Sequence, residues 1–430
     1  MNKSRVFKIL PLLTVLLAGV MSFAPALAQD NTLVFWGGLI FSESANNALV
    51  ARAQQWGEEN GVAVEVVMIN QNETVQTVSA AIEAGTMPDV VDLGRDFMLL
   101  LSNQEQLVAL NDLYAEIGEA HGGWLESANS LVTSDDFGGN VYGIPYATNG
   151  NVLFRRNDLL EPAGFPDAPE TWEQLGEMAR AINDPPNVYS MSFALSNVGD
   201  GNLTTTMLQS WGGRIANDEG TDCTIDSEET RAFLTWITTA YADGLFPPGA
   251  TTWDGAGDNT AYQSGQAGFI ANPGSVRNYL VENDPELADA TLYSALPAGP
   301  AMRISPVSTV VRSIPATSQK QEWAAELIKY LADDDFTAEY YSTAIYGPAL
   351  QNHVEAPIFS ESAVHAGLLD LALNGTPGAF PDVTNAAFAE YQTNFLTPRM
   401  VQRIVVDGLS IDDAVAETQA ACQDIYDKYK

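Results

Sequence analysis

Strand-like and helix-like patterns alternate from residue 32 onward, and this alternation restricts the fold more than any other feature of the chain. β-Branched runs at Thr32–Trp36, Val62–Ile69 and Pro88–Leu93 are separated by helix-like patterns at about 44–60 and 75–84. Strands that alternate with helices form βαβ units, which build a largely parallel sheet. Such a sheet binds ligands outside the carboxyl ends of its strands. The sequence therefore predicts an α/β fold with a candidate site near the ends of these runs.

A second alternating segment follows the stretch VYGIPYATNGNVLFRR, residues 141–156. Its first helix pattern starts with Thr171 and Gln174, which have the spacing of a capping box. The later strand-like runs are Tyr189–Leu195, Gly268–Ala271, Thr291–Leu296 and Ser308–Ile314, and helix patterns cover 203–211, 230–241, a segment starting at Ser318 and another starting at Ser410. We therefore expect two α/β halves that join at residues 141–156.

The first 28 residues have the three parts of a secretory signal peptide. Lys3, Arg5 and Lys8 form a basic start, Ile9–Val20 is an uncharged apolar run, and Ala26-Leu27-Ala28 is a small-residue cleavage site. No later apolar stretch is long enough to span a bilayer. The sequence thus predicts a protein that is exported and soluble once residues 1–28 are removed.

The charge balance excludes one large class of partners. The chain has 19 Lys and Arg against 55 Asp and Glu, a net charge of -36. Binding of nucleic acid requires a basic face for the phosphates, so no nucleic-acid partner is expected. The two cysteines, Cys223 and Cys422, can form one disulfide in an oxidising compartment or remain two buried thiols.

The familiar catalytic motifs are absent from the sequence. It contains no phosphate-binding P-loop, no H-E-x-x-H zinc helix and no G-x-S-x-G nucleophile elbow. His121, His353 and His365 are the only histidines, and none lies near another His or a Cys in sequence, so no metal site and no cofactor are expected. A carboxylate pair for glycoside hydrolysis stays open, because acidic residues are plentiful.

Aromatic and small polar residues recur instead at the predicted strand ends and loops. Aromatic rings offer flat apolar faces, and amides offer both donors and acceptors, a combination that suits a neutral polyhydroxy ligand. The candidates are Trp36, Tyr142, Tyr146, Asn149, Asn197, Trp253, Asn272 and Ser275. The alternative for each is a structural role, and for Trp36 this is packing under the neighbouring helix.

Five segments, in order along the chain, resemble those of the bacterial ABC-transporter extracellular solute-binding proteins, family 1, the group that includes maltose-binding-like proteins. They are GTMPDVVDLG from Gly85, IPYATNGNVLFRRNDLLEPAGFPDAPETWEQL from Ile144, YQSGQAGFIANPGS from Tyr262, IPATSQKQEWAAELIKYLAD from Ile314 and YGPAL from Tyr346. Phe269 replaces a methionine that is usual in the family. Together the segments span nearly all of the chain after residue 28.

This resemblance implies a two-lobed periplasmic-binding-protein fold with a ligand cleft between the lobes and three interlobe crossings. The crossings would fall near Ala147–Thr148, Val307–Val310 and Tyr346–Pro348. The N-terminal lobe would then hold residues 29–147 and 310–346, and the C-terminal lobe residues 148–309 and 347–430. The Gly- and Pro-rich break within residues 141–156 would be the first crossing.

The resemblance also implies positions that face the ligand. They are Gly38 and Glu43 after the first strand, Arg95 and Asp96 after the third, Asn149 past the first crossing, Asn197 after the YSMSFAL run, and Gly274 with Ser275. Some maltose binders place a tryptophan at the last of these turns and another at the position of Leu93. Their absence here favours a mono- or disaccharide over a long α-glucan.

The expected function is therefore that of a substrate-binding component of an ABC importer, without catalytic residues. It would bind a neutral carbohydrate by hinge closure, act as a monomer, and deliver the sugar to a membrane permease that the family implies. Two alternatives stay open. One is another small solute in the same fold, such as a polyol, a glycerophosphodiester or an amino sugar, and the other is an exported glycoside hydrolase.

Overall fold

A computed structural model describes residues 31–40, 42–70, 73–133 and 137–430, so the predicted signal peptide lies outside the described residues. The strands are β1 (Thr32–Leu39), β2 (Ala63–Asn70), β3 (Val90–Gly94), β4 (Ile144–Asn149), β5 (Val152–Arg156), β6 (Tyr189–Met191), β7 (Ala267–Asn272), β8 (Thr291–Ser294) and β9 (Ser308–Ser313). They form two sheets, one in the order β2-β1-β3-β9-β4 and the other in the order β6-β7-β5-β8.

Helices surround both sheets. They are α1 (Glu43–Asn60), α2 (Thr74–Ala84), α3 (Arg95–Asn103), α4 (Asn111–Ala120), α5 (Glu126–Val132), α6 (Asn157–Leu160), α7 (Trp172–Ile182), α8 (Leu203–Ser210), α9 (Glu228–Ala242), α10 (Gly257–Gln263), α11 (Ser275–Asn283), α12 (Pro285–Ala290), α13 (Gln321–Tyr330), α14 (Asp334–Thr343), α15 (Ile358–Glu361), α16 (Ala363–Asn374), α17 (Ala386–Thr393), α18 (Leu396–Val405) and α19 (Ile411–Asp427). In the described ranges, no helix is both long and apolar enough to cross a membrane.

The parallel sheet predicted from the first alternating segment is confirmed. β1 pairs in parallel with β2 and with β3. β9 then pairs antiparallel with β3, and β4 antiparallel with β9. In the second sheet β6 and β7 are parallel, whereas β5 runs antiparallel to both β7 and β8. The carboxyl ends of β1 and β3 therefore lie at one edge of the first sheet, where α3 begins.

Apolar side chains cover both faces of each sheet. Along β5, Leu153 belongs to one fully buried cluster, whereas Val152 and Phe154 belong to another. In the first sheet, Phe35 and Leu93 lie in two further clusters. Neighbouring residues of a strand point to opposite faces, so this division into four clusters means that helices cover each sheet on both sides.

Helix capping confirms part of the sequence prediction. Thr171 accepts a hydrogen bond from the Gln174 backbone amide, and Ser410 accepts one from Asp413. The predicted start of a helix at Ser318 is wrong. α13 begins at Gln321, because the Ser318 hydroxyl instead donates to the Asp89 carboxylate.

The strand predicted at Tyr189–Leu195 is also shorter than expected. β6 ends at Met191, where its pairing with β7 stops. The chain stays buried through Leu195 but bonds elsewhere, with the Leu195 amide donating to the Ala250 carbonyl.

The chain passes between the sheets at Gly150–Asn151, which separate β4 from β5, and again between β8 and β9. Asn149 still pairs with Ser308 in the first sheet, so the first passage lies slightly beyond the predicted Ala147–Thr148. Later in the chain, Ile345 packs against a cluster of the second sheet, whereas Phe359 packs in a core cluster of the first. The third crossing near Tyr346–Pro348 and the division of the chain into lobes stay predictions.

Cys223 and Cys422 are joined by a disulfide, which settles the alternative left open by the sequence. Cys223 pairs with Ala216 in an isolated β-bridge, and Cys422 lies on the buried face of α19. The bond therefore ties a surface turn to the last helix, on the same side of the second sheet.

A candidate ligand site in the cleft between the lobes

A cavity of about 1120 Å³ lies between the two α/β halves. The first half contributes α3 and the end of α5. The segments around Gly150–Asn151 and Pro306–Ser308 form the base, and the second half contributes the start of α8 and α17. The two segments that pass between the sheets at this base, Gly150–Asn151 and Pro306–Ser308, therefore both line the cavity.

Arg95 and Asp96 form the wall from the first half. They open α3 directly after β3, the position that a parallel sheet offers to ligands. Arg95 is 9% exposed, donates from Nε to the Leu131 carbonyl at 3.2 Å, and places its guanidinium 5.5 Å from the centre of the Phe137 ring. Its NH1 atom lies 3.2 Å from the Asp96 carboxylate, whose side chain is 93% exposed. The two charges thus compensate each other at the mouth of the cavity.

Asn202 and Gln392 form the opposite wall. The Asn202 amide nitrogen donates to the Gln392 backbone carbonyl at 3.3 Å, which joins the start of α8 to the end of α17. The side-chain oxygens of both residues are shielded from solvent and accept no hydrogen bond from any described residue. Buried oxygens of this kind are normally satisfied. Water does not reach either oxygen in this conformation, so a ligand hydroxyl would bond to them only after this wall of the cavity rearranges.

The base of the cavity needs a glycine. A Cβ atom on Gly150 would stand 2.6 Å from the Pro306 carbonyl oxygen and 3.0 Å from a Leu371 methyl group. The two crossing segments therefore approach each other more closely than any side chain at position 150 would permit.

The lining combines apolar side chains, such as Leu99, Leu203 and Val307, with polar side chains that are nearly all uncharged. Its amide side chains are Asn103, Asn151, Asn202, Asn385 and Gln392, and its hydroxyls are Ser130, Thr206, Ser308, Thr384 and Thr393. Arg95 and Asp96 are the charged residues of this lining, and Phe388 is its aromatic residue, within the described part of the chain. A net charge near zero in the cavity contrasts with -36 for the whole chain.

Of the predicted site residues, Arg95 and Asp96 line this cavity. Asn149 ends β4 immediately before Gly150 and is half-buried, so it borders the base. Asn197 is exposed and precedes the lining residue Gly199 by two positions.

The structure does not bring the other candidates to the cavity. Trp36 lies within β1 and packs, half-buried, among apolar residues that include Phe97. The Gly38 amide donates to the Asp92 carboxylate at 3.1 Å. Glu43 is exposed and lines a separate shallow pocket of about 370 Å³ beside Met68.

Three further candidates pack against protein. Trp253 is half-buried against Gly249 and Gly257, and a Cβ on Gly274 would stand 2.4 Å from an Ile345 methyl group. The Arg312 guanidinium lies over the ring of Tyr146, with its Cζ atom 3.9 Å from the ring centre. Ser275 opens α11, but its side chain lies outside the described parts. A ligand-binding role for all of these candidates, and for Tyr142 and Asn272, stays a prediction.

Asn202 and Gln392 were not predicted from the sequence. Asn202 follows the turn-forming Gly199-Asp200-Gly201 and precedes a helix, which is a weak signal for a loop that approaches a ligand. Gln392 lies within a helix without a local motif, and 190 positions separate it from Asn202. No local pattern could have paired them.

Two buried acidic groups lie close to this region. Burial raises the pKa of Asp92, and Arg312 opposes that rise from 3.5 Å away. Asp258 is 3% exposed, and burial together with the nearby Asp200 carboxylate raises its pKa to about 7. Asp200 lies in the turn that leads to Asn202.

A sequence profile described as bacterial extracellular solute-binding protein matches residues 51–366. The chain therefore belongs to that family, as its motifs predict. A Deinococcus radiodurans protein described as a probable ABC transporter-binding protein is 26% identical, over 51% of this chain and 54% of that protein. The chain thus aligns with about half the length of this relative.

Solved structures show the same fold. The sugar-binding protein MalE from Xanthomonas citri aligns with a TM-score of 0.77 at 19% identity, covering 93% of this chain and 98% of that one. Maltose-bound T. maritima MalE3 gives 0.72 at 23% identity, over 92% and 99% of the two chains. The predicted two-lobed periplasmic-binding-protein fold is confirmed, and the family is one of extracellular binding proteins.

Proposed function

We propose that this protein is the substrate-binding component of an ABC importer and that it holds a neutral carbohydrate, a monosaccharide or small oligosaccharide, in the cleft between its lobes. It would close on the sugar about the interlobe crossings and deliver it to a membrane permease. Removal of residues 1–28 during export and a monomeric state belong to the same proposal.

The observation that supports this function is the set of uncharged amide and hydroxyl groups in a lining with almost no charge. Amides and hydroxyls donate to and accept from sugar hydroxyls without a net charge. The Asn202 and Gln392 side-chain oxygens have no described partner and would become acceptors for the sugar if this wall rearranges on binding. An anionic solute such as a glycerophosphodiester is disfavoured, because Asp96 already compensates Arg95.

The volume of the cavity is consistent with a small oligosaccharide. Ligand pockets usually measure about 300–1,000 Å³, and this one lies slightly above that range. Phe388 provides limited stacking surface, since it is only 7% exposed. Hydrogen bonds would therefore contribute more to binding than aromatic stacking does.

The first experiment is a thermal-shift screen of the mature protein against neutral sugars, polyols, glycerophosphodiesters and amino sugars. A ligand that binds only the folded state stabilises it by RT ln(1 + [L]/Kd), about 2.7 kcal/mol at a hundredfold excess over Kd. A neutral sugar should give the largest shift and be recovered chemically unchanged. A larger shift with another class would replace the carbohydrate assignment, and release of a hydrolysis product would favour the glycosidase alternative.

The second experiment tests the position of the site with Asn202→Ala. Removing one buried hydrogen bond to the ligand costs about 1–3 kcal/mol, which weakens Kd by roughly ten- to a hundredfold. The matched control is Asn187→Ala, because Asn187 is exposed in the same half and bonds only to Asp184 in the described structure. Calorimetric titration with the best sugar should separate the two variants, and equal affinities would place the site elsewhere.

A further inference from the structure

The fold brings together two of the three histidines on the first half of the molecule, away from the cleft. His121 directly follows α4, His353 lies in the 3-10 helix Asn352–Glu355, and Asp334 is the first residue of α14. One potential ligand atom from each residue lies within 4.8 Å of the other two. None of the three lines the cleft cavity.

Both imidazoles face the same carboxylate oxygen. His121 Nδ1 lies 2.6 Å and His353 Nε2 3.1 Å from Oδ1 of Asp334. Tetrahedral Zn²⁺ with bonds of about 2.0–2.1 Å holds its ligand atoms about 3.4 Å apart. Side-chain rotations that move these atoms by less than about 1 Å would bring both pairs to that spacing.

His353 supplies a second, independent observation. Its side chain is 4% exposed, and its ring nitrogens interact with the Asp334 carboxylate and the Ala332 backbone without meeting good hydrogen-bond geometry. Buried polar atoms normally have a partner, and one without a partner requires an explanation. A metal ion beside Asp334 would satisfy the nitrogen that faces it.

Neighbouring groups hold the three candidate ligands in place by hydrogen bonds, as is usual around metal sites. Asn352 donates from Nδ2 to Oδ2 of Asp334 at 2.9 Å, which fixes the plane of the carboxylate. The Asn352 backbone amide donates to the His121 carbonyl at 3.1 Å. Gly122 has a φ of +81° and no room for a Cβ, which would lie 2.6 Å from Asn352 Oδ1, so the loop that carries His121 can approach closely.

Access and charge also agree with a bound cation. The Asp334 side chain is 45% exposed and that of His121 is 16% exposed, which leaves an open side where water can complete the coordination. The net charge of -36 attracts cations to the surface in general. Two imidazoles with one carboxylate suit borderline transition metals, whereas Ca²⁺ and Mg²⁺ prefer oxygen ligands.

We propose that His121, His353 and Asp334 form a binding site for a divalent transition metal, for which Zn²⁺ is the best fit. The ion would join the end of α4, the start of α14 and the segment that follows Leu350. The metal would hold that segment against the first half of the molecule.

The test uses the full mature chain, freed of metal with a chelator and titrated calorimetrically with ZnCl₂ near pH 7.5. We expect one Zn²⁺ per chain, a raised Tm on binding, and no comparable heat with MgCl₂ or CaCl₂. His121→Gln and His353→Gln should each weaken Zn²⁺ binding by more than about tenfold. His365→Gln is the matched control, because His365 bonds to Ser362 and Ala344 instead and should leave Zn²⁺ affinity unchanged.

Two results would overturn the proposal. One is Zn²⁺ affinity in folded His121→Gln equal to that of the unchanged protein, which would indicate general binding to the acidic surface. The other is binding of Mg²⁺ as tight as that of Zn²⁺. His121 is partly exposed, so its variant keeps the test decisive even if the buried His353→Gln variant does not fold.

Discussion

At the residue scale, the position of Trp36 decides between two roles. It lies within β1 between Val67 and Val91, and its half-buried ring packs among apolar side chains. We therefore expect Trp36→Phe to lower the free energy of unfolding by about 1 kcal/mol, the loss typical of a modest reduction in buried volume. Affinity for the ligand should stay the same.

Denaturant unfolding and a calorimetric titration of the variant check both expectations for Trp36. The opposite pattern, weaker binding at unchanged stability, would return this residue to the site. It would also mean that the aromatic ring approaches the ligand only after the lobes close.

Asp258 should make stability depend on pH. Its pKa rises from an ordinary 3.8 to about 7 in the folded protein, because burial and Asp200 disfavour its charge. Between about pH 4 and 7 the folded state therefore keeps a proton that the unfolded state has lost. The contribution of this group is fully present below pH 4 and is lost as pH rises through 7, at a limiting slope of about 1.4 kcal/mol per pH unit.

Asp258→Asn should remove that slope and raise stability at pH 8 relative to the unchanged protein. Unfolding in denaturant at several values between pH 4 and 8 measures the difference. Asp289→Asn, an exposed position, is the control and should behave like the unchanged protein. Parallel curves for the Asp258 variant and the unchanged protein would mean that this carboxyl is ionised throughout.

At the scale of elements, one ion pair and its contacts connect four strands of the first sheet. Asp92 on β3 lies opposite Arg312 on β9, with 3.5 Å between Oδ1 and Nε, and both side chains are 3% exposed. Asp92 also accepts from the Gly38 amide of β1. Arg312 covers the ring of Tyr146 on β4, so the pair joins the two strands that lead into the crossings to the rest of the sheet.

Arg312→Met should therefore destabilise the protein by about 3–5 kcal/mol, because it leaves the Asp92 charge buried and unpaired. The double variant Asp92→Asn with Arg312→Met should recover most of that loss. Equilibrium unfolding of the three proteins measures the coupling. A loss below about 1 kcal/mol for Arg312→Met would show that water or another group compensates Asp92.

Sequence patterns predict the presence and type of strands and helices better than the residues at which they begin and end. The run Thr32–Trp36 was expected as a strand, but β1 continues to Leu39, because Gly37, Gly38 and Leu39 pair with residues 68–70 of β2. A strand ends where its partner ends, and periodicity within one segment does not contain that information. The same reason shortens the run at 189–195, which loses its partner after Met191.

The site residues show the same difference between what local sequence predicts and what long-range packing determines. Arg95 and Asp96 could be predicted because they follow a strand directly, and the position after a parallel strand is determined by local chain direction. Asn202 and Gln392 could not be predicted, because their proximity depends on how α17 packs beside the start of α8. The histidines illustrate the same point, since His121 and His353 are 232 positions apart yet share one carboxylate.

At the scale of the whole molecule, we predict that a bound sugar draws the lobes together. The two walls of the cavity belong to different halves of the molecule. The first crossing is only two residues long. We therefore expect the halves to rotate relative to each other about this short connection. A ligand that contacts both walls favours the closed population over the open one. The radius of gyration from solution X-ray scattering should therefore decrease at saturation.

The control for closure is Asn202→Ala at the same sugar concentration, where weaker binding should leave more of the open form. An unchanged radius in the unchanged protein at full occupancy would show that the cleft is already closed without ligand. In that case the crossings would serve as fixed connections.

The disulfide has a consequence for biogenesis. Cys223 and Cys422 are 199 positions apart, and the chain contains no other cysteine. An exported chain emerges with its N-terminus first, so Cys223 waits without a partner until α19 has also reached the oxidising compartment. Two cysteines permit only one connectivity within a chain. Formation of this disulfide therefore requires an oxidant but no disulfide isomerase. Because α19 follows every strand in the sequence, the bond forms only after all the strands have been exported.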